Sequence, residues 1–497
     1  MITYFPSGYN LFQYTPPAPS PRPEPLPLHR PNLAELADHR DLLPPFVSEC
    51  AVAMKYLTLL GSLDWANFPE RDPHRAWPGP VPHPRAAYVA AFLVKLQEKK
   101  LYMADLRTYL VEHPALVWLL GFKLVPSDQF AWGFDVEASV PTRQHFSRVL
   151  RELPNAVLQF LLDSTVHLIE AELPDDIVLG QTVTIDIKHI VAWVAENNPK
   201  AYIKESERLN KERQPSGDPD CKLGCKKKAN RSPGQDEIQE GSAAHPIPPQ
   251  HPVPTNFSPQ DVYYWGYGSG IAATKIPELG EVALAELTQP FNRGETTYFF
   301  PLMGETERRL NRQPTFGALD RAFDAFYVYQ YFHEAGGFAA VPFVPHGGFK
   351  NRQFDPDGFP LCQAGLPMPL KSTFIKHSTE VEHQCGRYAC PLFFPEPTHQ
   401  SCPINHPNFA QGGCLTTMPT CDGARIRYQL DRDSDLFKEI YKQRTACERI
   451  NSQAEALGIE RPKLRRGSAI ANQNTLIYVL INLRTLHRLR HRLAGAG

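Results

Sequence analysis

The sequence predicts a mixed α/β protein with a helical N-terminal region, and three observations lead to this fold class. Residues 46–172 repeat apolar side chains at helical intervals, whereas residues 182–188, TVTIDIK, alternate apolar and polar side chains as a strand does. Residues 316–344 then read as strand, helix and strand, the order of a βαβ unit. Together these patterns predict a mixed sheet flanked by helices.

Composition sets limits on the class of protein. Of the 497 residues, 42% are hydrophobic, which is enough for several domains with a sizeable core. The formal net charge of -1 supplies no overall field for nucleic acid, so any such binding has to come from local patches. The sequence shows neither a signal-peptide pattern nor an apolar run long enough to cross a membrane. We therefore expect a cytoplasmic protein without membrane contact.

The N-terminal part divides where the composition changes. Residues 1–45 are a proline-rich leader that we expect to be disordered. Residues 46–172 are expected to be helical. Arg143, Arg148 and Arg151 would be exposed on one short helix of this region. These helices could form a DNA-binding unit, and an ordinary helical bundle is the alternative.

The sheet is expected between residues 180 and 344. Asp186 lies in the middle of its first strand, where Asp is disfavoured unless the strand is an edge or the residue is functional. Residues 200–256 lose all periodicity and are interpreted as a disordered insertion. Further strands are predicted at 262–276, 280–290 and 297–303. Asp320 ends the first strand of the βαβ unit, at the sheet edge where α/β proteins build their sites. Asp324 is the alternative to Asp320, although it could instead cap the next helix.

The C-terminal part begins with an irregular insertion and ends in two helices. Residues 345–430 form the insertion, which is rich in Pro, Gly, Cys and His. Residues 431–497 carry one helix from about 433 to 458 and a second helix with a basic tail, Arg484 to Arg492. On the first helix Tyr441, Arg444 and Glu448 share a face, since offsets of three, four and seven residues return to the same side. A solvated face with a simple Arg444–Glu448 pair is the alternative.

Three carboxylates from separate elements can meet at one point. Asp186 and Asp320 come from strands, and Glu448 comes from the helix that follows the sheet. Carboxylate oxygens suit hard divalent cations such as Mg²⁺ or Mn²⁺. Two such ions can activate an attacking hydroxyl and stabilise the leaving oxygen of a phosphodiester. The pattern therefore indicates phosphoryl-transfer chemistry.

The same segments resemble the DDE-type transposases of bacterial insertion sequences, whose catalytic core is RNase H-like and similar to retroviral integrase. The similarity covers roughly residues 140–490 and is carried by TIDIKHIVAWV, LDRAFDAFYVYQYF and YKQRTACERINSQA. The last segment matches the family signature Tyr-x₂-Arg-x₃-Glu-x₆-Lys with Tyr441, Arg444 and Glu448. The final position of the signature is Glu455 in this chain, which is a departure from the family.

The resemblance implies an activity and a set of partners. Asp186, Asp320 and Glu448 would hold Mg²⁺ or Mn²⁺, cut DNA at the ends of an insertion sequence and join the freed ends to target DNA. Double-stranded DNA, both element ends and target, would be the partner. The protein would form a homodimer in the synaptic complex and be nucleoid-associated in a bacterium. The alternatives are an inactive nucleic-acid-binding remnant and an RNase H-like nuclease that does not join DNA.

DNA contacts are also implied by the resemblance. Tyr441 and Arg444 would contact phosphates near the cleaved bond, and the planar guanidinium group suits bidentate phosphate binding. The family's final Lys is thought to contact the DNA backbone, and Glu455 cannot do so. The candidates for a replacement are Arg449, Lys463, Arg465 and Arg466. The basic tail at the C-terminus would add further phosphate contacts.

A cluster of cysteines within residues 345–430 predicts a second kind of site. Four Cys or His ligands would suit a structural Zn²⁺, and a small region with few apolar runs would gain stability from it. The predicted ligands are Cys385, Cys390, Cys402 and Cys414, with His406 as a replacement. Their spacing matches no standard zinc ribbon, so the alternative is a set of reduced cysteines.

Overall fold

The computed structural model describes residues 31–72, 81–201, 203–226, 262–344, 352–377 and 381–496. The helices are α1 Leu33–Asp38, α2 Pro45–Ser48, α3 Ala51–Leu60, α4 Arg85–Gln97, α5 Met103–Val111, α6 Pro114–Leu119, α7 Val136–Ser139, α8 Arg143–Glu152, α9 Asn155–Glu172, α10 Glu205–Arg208, α11 Phe299–Leu310, α12 Phe326–Glu334, α13 Asp422–Gln429, α14 Asp435–Lys442, α15 Thr445–Ala456 and α16 Gly467–Ala496. The strands are β1 Val125–Pro126, β2 Phe134–Asp135, β3 Thr182–Val191, β4 Lys222–Lys226, β5 Val262–Ile276, β6 Gly280–Pro290, β7 Phe316–Ala318, β8 Phe338–Ala340, β9 Leu370–Lys376, β10 His383–Ala389 and β11 Leu415–Pro419.

The central sheet is mixed and has helices packed against it, so the predicted α/β class is confirmed at this level. Its strands run in the order β4-β5-β3-β7-β8, and β6 pairs with β5 beside β4. Strand β3 is antiparallel to β5 and parallel to β7, and β7 is parallel to β8. The βαβ prediction at 316–344 is confirmed, because α12 connects the parallel strands β7 and β8.

Strand β5 crosses the middle of the sheet and is buried along almost its whole length. Such burial on both faces leaves little room beside the strand. The ring of Tyr298 lies against it, and a Cβ atom added at Gly270 would be 2.2 Å from Tyr298 Cδ1. The hydroxyl of Tyr298 donates to the carbonyl of Gly268 at 3.1 Å. Glycine is therefore needed where this aromatic ring approaches the backbone.

Helix α16 joins the N-terminal helices to the sheet. Its apolar side chains, including Ile477 and Leu480, are fully buried and belong to one core that the helices and the sheet share. It packs against α4, α8, α9 and β6. Inside that contact the Asn482 amide donates to the carbonyl of Ala283 at 2.9 Å, which binds the helix to β6. Among the helices that the structure describes, none is both long and apolar enough to cross a membrane.

Two expected disordered segments contain regular structure where they are described. Within the predicted leader, Asn32 caps α1 by accepting hydrogen bonds from the backbone N–H groups of Ala34 and Glu35. Within the predicted insertion at 200–256, strand β4 pairs with β5 and extends the sheet. These parts of the predictions are wrong, because a short polar segment can gain order from its neighbours. Residues 1–30 and 227–261 lie outside the described residues.

A third difference concerns residues 297–303, which were expected to form a strand. They belong to a 3₁₀ turn, Glu295–Tyr298, and to helix α11. Phe299, Leu302 and Met303 are buried together, at the spacing of one helical face. The prediction is wrong because a short apolar run does not distinguish a strand from a buried helix.

The insertion before the last helices is only partly irregular. Strands β9, β10 and β11 form an antiparallel three-stranded sheet with β10 in the centre. Helix α13 follows this small sheet and packs on α12 of the βαβ unit. Gly423 allows that close approach, since a Cβ atom there would lie 2.2 Å from the carbonyl oxygen of Phe326. The insertion is therefore joined directly to the central fold.

Candidate active site

Asp186 lies near the middle of β3, a central strand with β5 on one side and β7 on the other. An edge position therefore does not account for this aspartate. Its Oδ1 accepts a hydrogen bond from the backbone N–H of Ile187, and its Oδ2 accepts one from Asn451 Nδ2, both at 2.8 Å. The carboxylate is held in one orientation at a partly buried position.

Asp320 stands beside Asp186 because of the register of two parallel strands. Thr182 pairs with Phe316, and each aspartate lies four residues further along its own chain segment. Asp320 follows the end of β7, and its Oδ1 accepts from the N–H of Ala322 at 2.9 Å, which caps a 3₁₀ turn. The two aspartates therefore occupy equivalent positions on neighbouring chain segments.

Glu448 is on a helix that differs from the prediction. The helix expected from 433 to 458 is interrupted, and α14 and α15 are separated by Gln443 and Arg444. There the chain tightens to three-residue hydrogen bonds, with Arg444 N–H donating to the Tyr441 carbonyl at 3.1 Å. Helix α14 packs on β7 and β8, whereas α15 packs on β3, β5 and β6. Because the two helices pack on different strands, the helix is interrupted between them. Sequence periodicity does not reveal this break.

Arg444 is a positive group that lies among these carboxylates. Its Nη2 donates to Glu448 Oε1 at 2.6 Å, so the predicted pair of residues four apart is present. Arg444 also interacts electrostatically with Asp186 and Asp320. The Tyr441 ring centre lies 5.9 Å from Arg444 Cζ, within cation–π range. The structure thus brings together the three predicted carboxylates, the predicted arginine and the predicted tyrosine.

Burial and mutual repulsion act on the acidic groups. Burial raises the pKa of Asp186, and the charges of Asp320 and Glu448 raise it further. Burial also raises the pKa of Asp320. Loss of water contact makes a charged carboxylate less favourable, and nearby like charges add to that cost. Clusters of this kind are typical of functional sites.

Glu295 is a fourth acidic residue of this region that sequence reasoning missed. It lies in the 3₁₀ turn after β6. Burial raises its pKa from the ordinary 4.5 to about 7, and the charges of Asp320 and Asp186 contribute. It precedes a segment that had been interpreted as a strand, and no motif marks it. Only the tertiary structure identifies it as part of the cluster.

The donor set fits a hard divalent cation in its chemistry. Every acidic side chain in the cluster offers carboxylate oxygens, and an oxygen that accepts one hydrogen bond keeps a second lone pair. Such a cation would also offset the repulsion between Asp186, Asp320 and Glu448. Within the described ranges, no three His, Cys, Asp or Glu side chains are arranged as a finished metal site. The carboxylates therefore suit a divalent cation by the type of their donor atoms and by their charge.

Asp324, the alternative to Asp320, has a different role. Its side chain is almost fully buried and pairs with Arg427, which donates to both carboxylate oxygens at 2.7 and 2.8 Å. The hydroxyl of Tyr329 and the N–H of Val344 also donate to it. The contacts with Arg427 join the central fold to α13 of the insertion. Asp324 is therefore a structural anchor.

The candidates for a substitute DNA contact lie in different surroundings. Arg449 forms an ion pair with Glu281 at 2.9 Å. Lys463 and Arg465 lie over the ring of Trp193, at 5.7 and 5.0 Å from its centre. Arg466 is exposed and has a positive φ of 79°. Lys463, Arg465 and Arg466 thus form a basic group close to the end of β3.

Glu455, at the position of the family's Lys, pairs with a lysine of the neighbouring strand. Lys188 Nζ contacts Glu455 and also Glu460, the latter at 2.6 Å. Lys188 lies two residues after Asp186 on β3. A positive charge is therefore present near this position, although it comes from the strand.

The arginines of the basic tail make contacts with other parts of the protein. Arg490 donates to both carboxylate oxygens of Glu172, and Arg484 donates to Gln97 Oε1 at 2.8 Å. Arg492 pairs with Glu278. These contacts stabilise the end of α16 against neighbouring elements. The expectation that this segment contacts phosphate is therefore weakened by the contacts that it already makes.

The predicted zinc ligands are partly brought together. Cys390, Cys402 and Cys414 line one cavity together with His406. Cys385 is buried on β10 and does not line it, whereas Cys362, which was not among the predicted ligands, does. All ten cysteines of the chain lie in the described residues and are free thiols.

Comparison with known proteins adds no assignment to this geometry. No protein-family model matches the chain, and the curated proteins contain no significant match to it.

Proposed function

We propose that this protein is a DDE-type transposase that cuts DNA at the ends of an insertion sequence and joins those ends to target DNA. The observation that carries the proposal is the meeting of Asp186, Asp320 and Glu448. The two aspartates occupy equivalent heights on adjacent parallel segments, and Glu448 approaches from α15. Each is more than a hundred positions from the next in the sequence, and the resemblance implies the same three residues as metal ligands.

The architecture supports the same proposal. A mixed sheet with helices packed against it is compatible with the RNase H-like core that the resemblance implies. The insertion with strands β9 to β11 lies between the last strand of the sheet, β8, and the helix that carries Glu448. Members of the family carry inserted segments at this place. On this proposal the helices before β3 recognise the element ends.

The side chains of the candidate active site would have different roles in phosphoryl transfer. A bound Mg²⁺ or Mn²⁺ would supply Lewis-acid activation of the attacking oxygen and charge neutralisation at the leaving oxygen. Asp186, Asp320 and Glu448 are its proposed ligands. Asn451 holds the Asp186 carboxylate in place through a 2.8 Å hydrogen bond. Arg444 provides a planar cation that can bind a DNA phosphate through two parallel hydrogen bonds.

Exposed basic groups support DNA as the partner. Arg143, Arg148 and Arg151 are exposed on α8. Arg466 is exposed near the end of β3, beside the two cations that stack on Trp193. Because the net charge of the chain is close to zero, such local groups have to supply the attraction to phosphate. A homodimer would hold two DNA ends in one synaptic complex.

The test uses the full-length chain and the DNA that flanks its gene, with Mg²⁺ or with EDTA. Glu448→Gln removes the proposed ligand, and Glu439→Gln makes the same change at an exposed position of α14. We expect discrete cuts and joined products with the unaltered chain and with Glu439→Gln in Mg²⁺. We expect neither product with EDTA or with Glu448→Gln.

Other outcomes separate the alternatives. Cuts without joined products would indicate a nuclease. Binding to the flanking DNA without cuts would indicate an inactive remnant. Cutting that persists at full rate in Glu448→Gln would remove Glu448 from the active site and contradict the proposal.

A further inference from the structure

The insertion contains a cavity that four cysteines help to line. Cys362, Cys390, Cys402 and Cys414 line it, and His406 lies at the same cavity. The four cysteines come from four separate segments of the chain, with spacings of 28, 12 and 12 residues. Such long and irregular spacing belongs to no short metal motif, so only the fold reveals this grouping.

Three of these cysteines begin tight turns beside the cavity. The carbonyl of Cys362 accepts from the N–H of Gly365 at 2.9 Å, and the carbonyl of Cys402 accepts from the N–H of Asn405 at 3.1 Å. Gly365 and Asn405 both have positive φ angles, 75° and 49°. The carbonyl of Cys390 accepts in the same way from Phe393, three residues later, at 3.1 Å. Each of the three cysteines is therefore the first residue of a turn, and its carbonyl accepts the hydrogen bond that closes the turn.

The fourth thiol is brought in by two consecutive glycines. Gly412 and Gly413, just before Cys414, have φ angles of 94° and 90°. A Cβ atom added at Gly413 would lie 2.5 Å from Cys390 Cβ and 3.1 Å from its Sγ. The backbone before Cys414 thus passes directly against Cys390. Glycine is required there both by the backbone conformation and by this approach.

The buried apolar cluster of the insertion is small. Among the described residues of the insertion, this cluster consists of Met368, Tyr388, Met418 and Ala424. Strand β9 is exposed along nearly its whole length. Small regions with such a limited core usually need a covalent or metal cross-link to keep one conformation. Four converging thiols are the groups that could provide it.

The thiols also affect one another. Cys414 is close enough to Cys390, Cys362 and Cys402 to interact electrostatically with each of them. Several thiolates at one place repel each other, and a soft divalent cation removes that cost. As they are placed in the described structure, no three His, Cys, Asp or Glu side chains could hold a metal ion. A cysteine Sγ has three staggered positions about χ1, so thiols that line one cavity can turn toward a common centre.

We propose that Cys362, Cys390, Cys402 and Cys414 bind one structural Zn²⁺ that holds the loops of the insertion together. Four cysteine ligands complete a tetrahedral, closed zinc site with no position left for a substrate. Cys385 takes no part, because it lies on β10, opposite Phe374 and Pro419 of the flanking strands. His406 lies at the cavity without serving as a ligand. The proposal is independent of the transposase activity.

The first measurement is the zinc content of the full-length protein purified under reducing conditions from zinc-supplemented culture. We expect one equivalent per chain by mass spectrometry of the metal. Cys362→Ser should lower the content to well below half an equivalent, and the matched change Cys385→Ser should leave it at one. Retention of zinc in Cys362→Ser together with its loss in Cys385→Ser would overturn the ligand assignment.

A second measurement keeps the proposal testable if a serine variant does not fold. Replacing zinc by Co²⁺ in the unaltered protein should give intense visible bands of tetrahedral geometry and strong sulfur-to-cobalt charge transfer. Cys402→His should keep the metal and shift both bands. Absence of metal from the unaltered protein, or intact masses that show disulfides among these cysteines, would overturn the site.

Discussion

Asn451 donates a hydrogen bond from its side-chain amide to Asp186 Oδ2 at 2.8 Å. Asn451 lies three residues after Glu448 on α15, so the two side chains are about one helical turn apart. One hydrogen bond therefore fixes the position of the helix that carries one proposed ligand relative to the strand that carries another. The amide is buried, and its own Oδ1 has no hydrogen-bond partner among the described residues.

On the proposed function, Asn451→Ala should slow DNA cutting strongly and destabilise the fold only slightly. Loss of a residue that orients a metal ligand typically costs about 10- to 100-fold in activity or metal affinity. We expect cutting to fall by that range and to require more Mg²⁺, with a loss of about 1 kcal/mol in the free energy of unfolding. Titration of the cutting rate with Mg²⁺ measures the effect. Ser452→Ala, at the next and exposed position, is the control, and equal losses in both variants would contradict the orienting role.

Asp320 and Asp324 should respond oppositely to the same substitution. Asp320→Asn should abolish cutting and leave stability unchanged or higher, because the pKa of Asp320 is raised and asparagine still caps the turn. Asp324→Asn should lower the free energy of unfolding by about 3 to 5 kcal/mol, because it leaves buried Arg427 without its charge partner. Urea unfolding of both variants tests this contrast. Greater stability in Asp324→Asn than in Asp320→Asn would exclude the anchoring role.

Glu295 should make the stability of the metal-free protein depend on pH. Its pKa is about 7 in the folded chain and is ordinarily 4.5, so folding favours the protonated form. Its contribution to stability is full below pH 4.5 and is lost as the pH rises through 7. Glu295→Gln should remove about 1 to 3 kcal/mol of this decline. Urea unfolding in EDTA between pH 4.5 and 8 gives the measurement, with Glu439→Gln as the control; identical slopes in all three proteins would rule out the effect.

Lysine at position 455 should destabilise the protein slightly when it is introduced on its own. Glu455→Lys places a second cation against Lys188, whose side chain is only 14% exposed. Because Glu455 itself is partly exposed, solvent screening limits the expected loss of stability to about 1 kcal/mol. Adding Lys188→Glu should recover part of the loss. A double-mutant cycle measures the coupling, and strictly additive effects would show that the two side chains do not interact.

Sequence periodicity identified the elements with long, regular patterns. It located strands β5 and β6, the βαβ unit and the aspartate of β3, because each pattern repeats over several residues. It was wrong for α11, for α1 in the predicted leader and for β4 in the predicted insertion. It also did not detect the break between α14 and α15. Each error lies where packing against a neighbour outweighs the local pattern.

The sequence by itself determined the α/β class, the strand position of Asp186, and the helical spacing of Arg444 and Glu448, since these depend only on residues close together in the chain. The tertiary structure alone decided which distant groups meet. The register of β3 with β7 aligns Asp186 with Asp320, and the pair with Arg427 assigns Asp324 to a structural role. The fold likewise places Cys362, and not Cys385, at the cavity of the insertion. Contacts between remote segments depend on strand order and packing, which local periodicity does not encode.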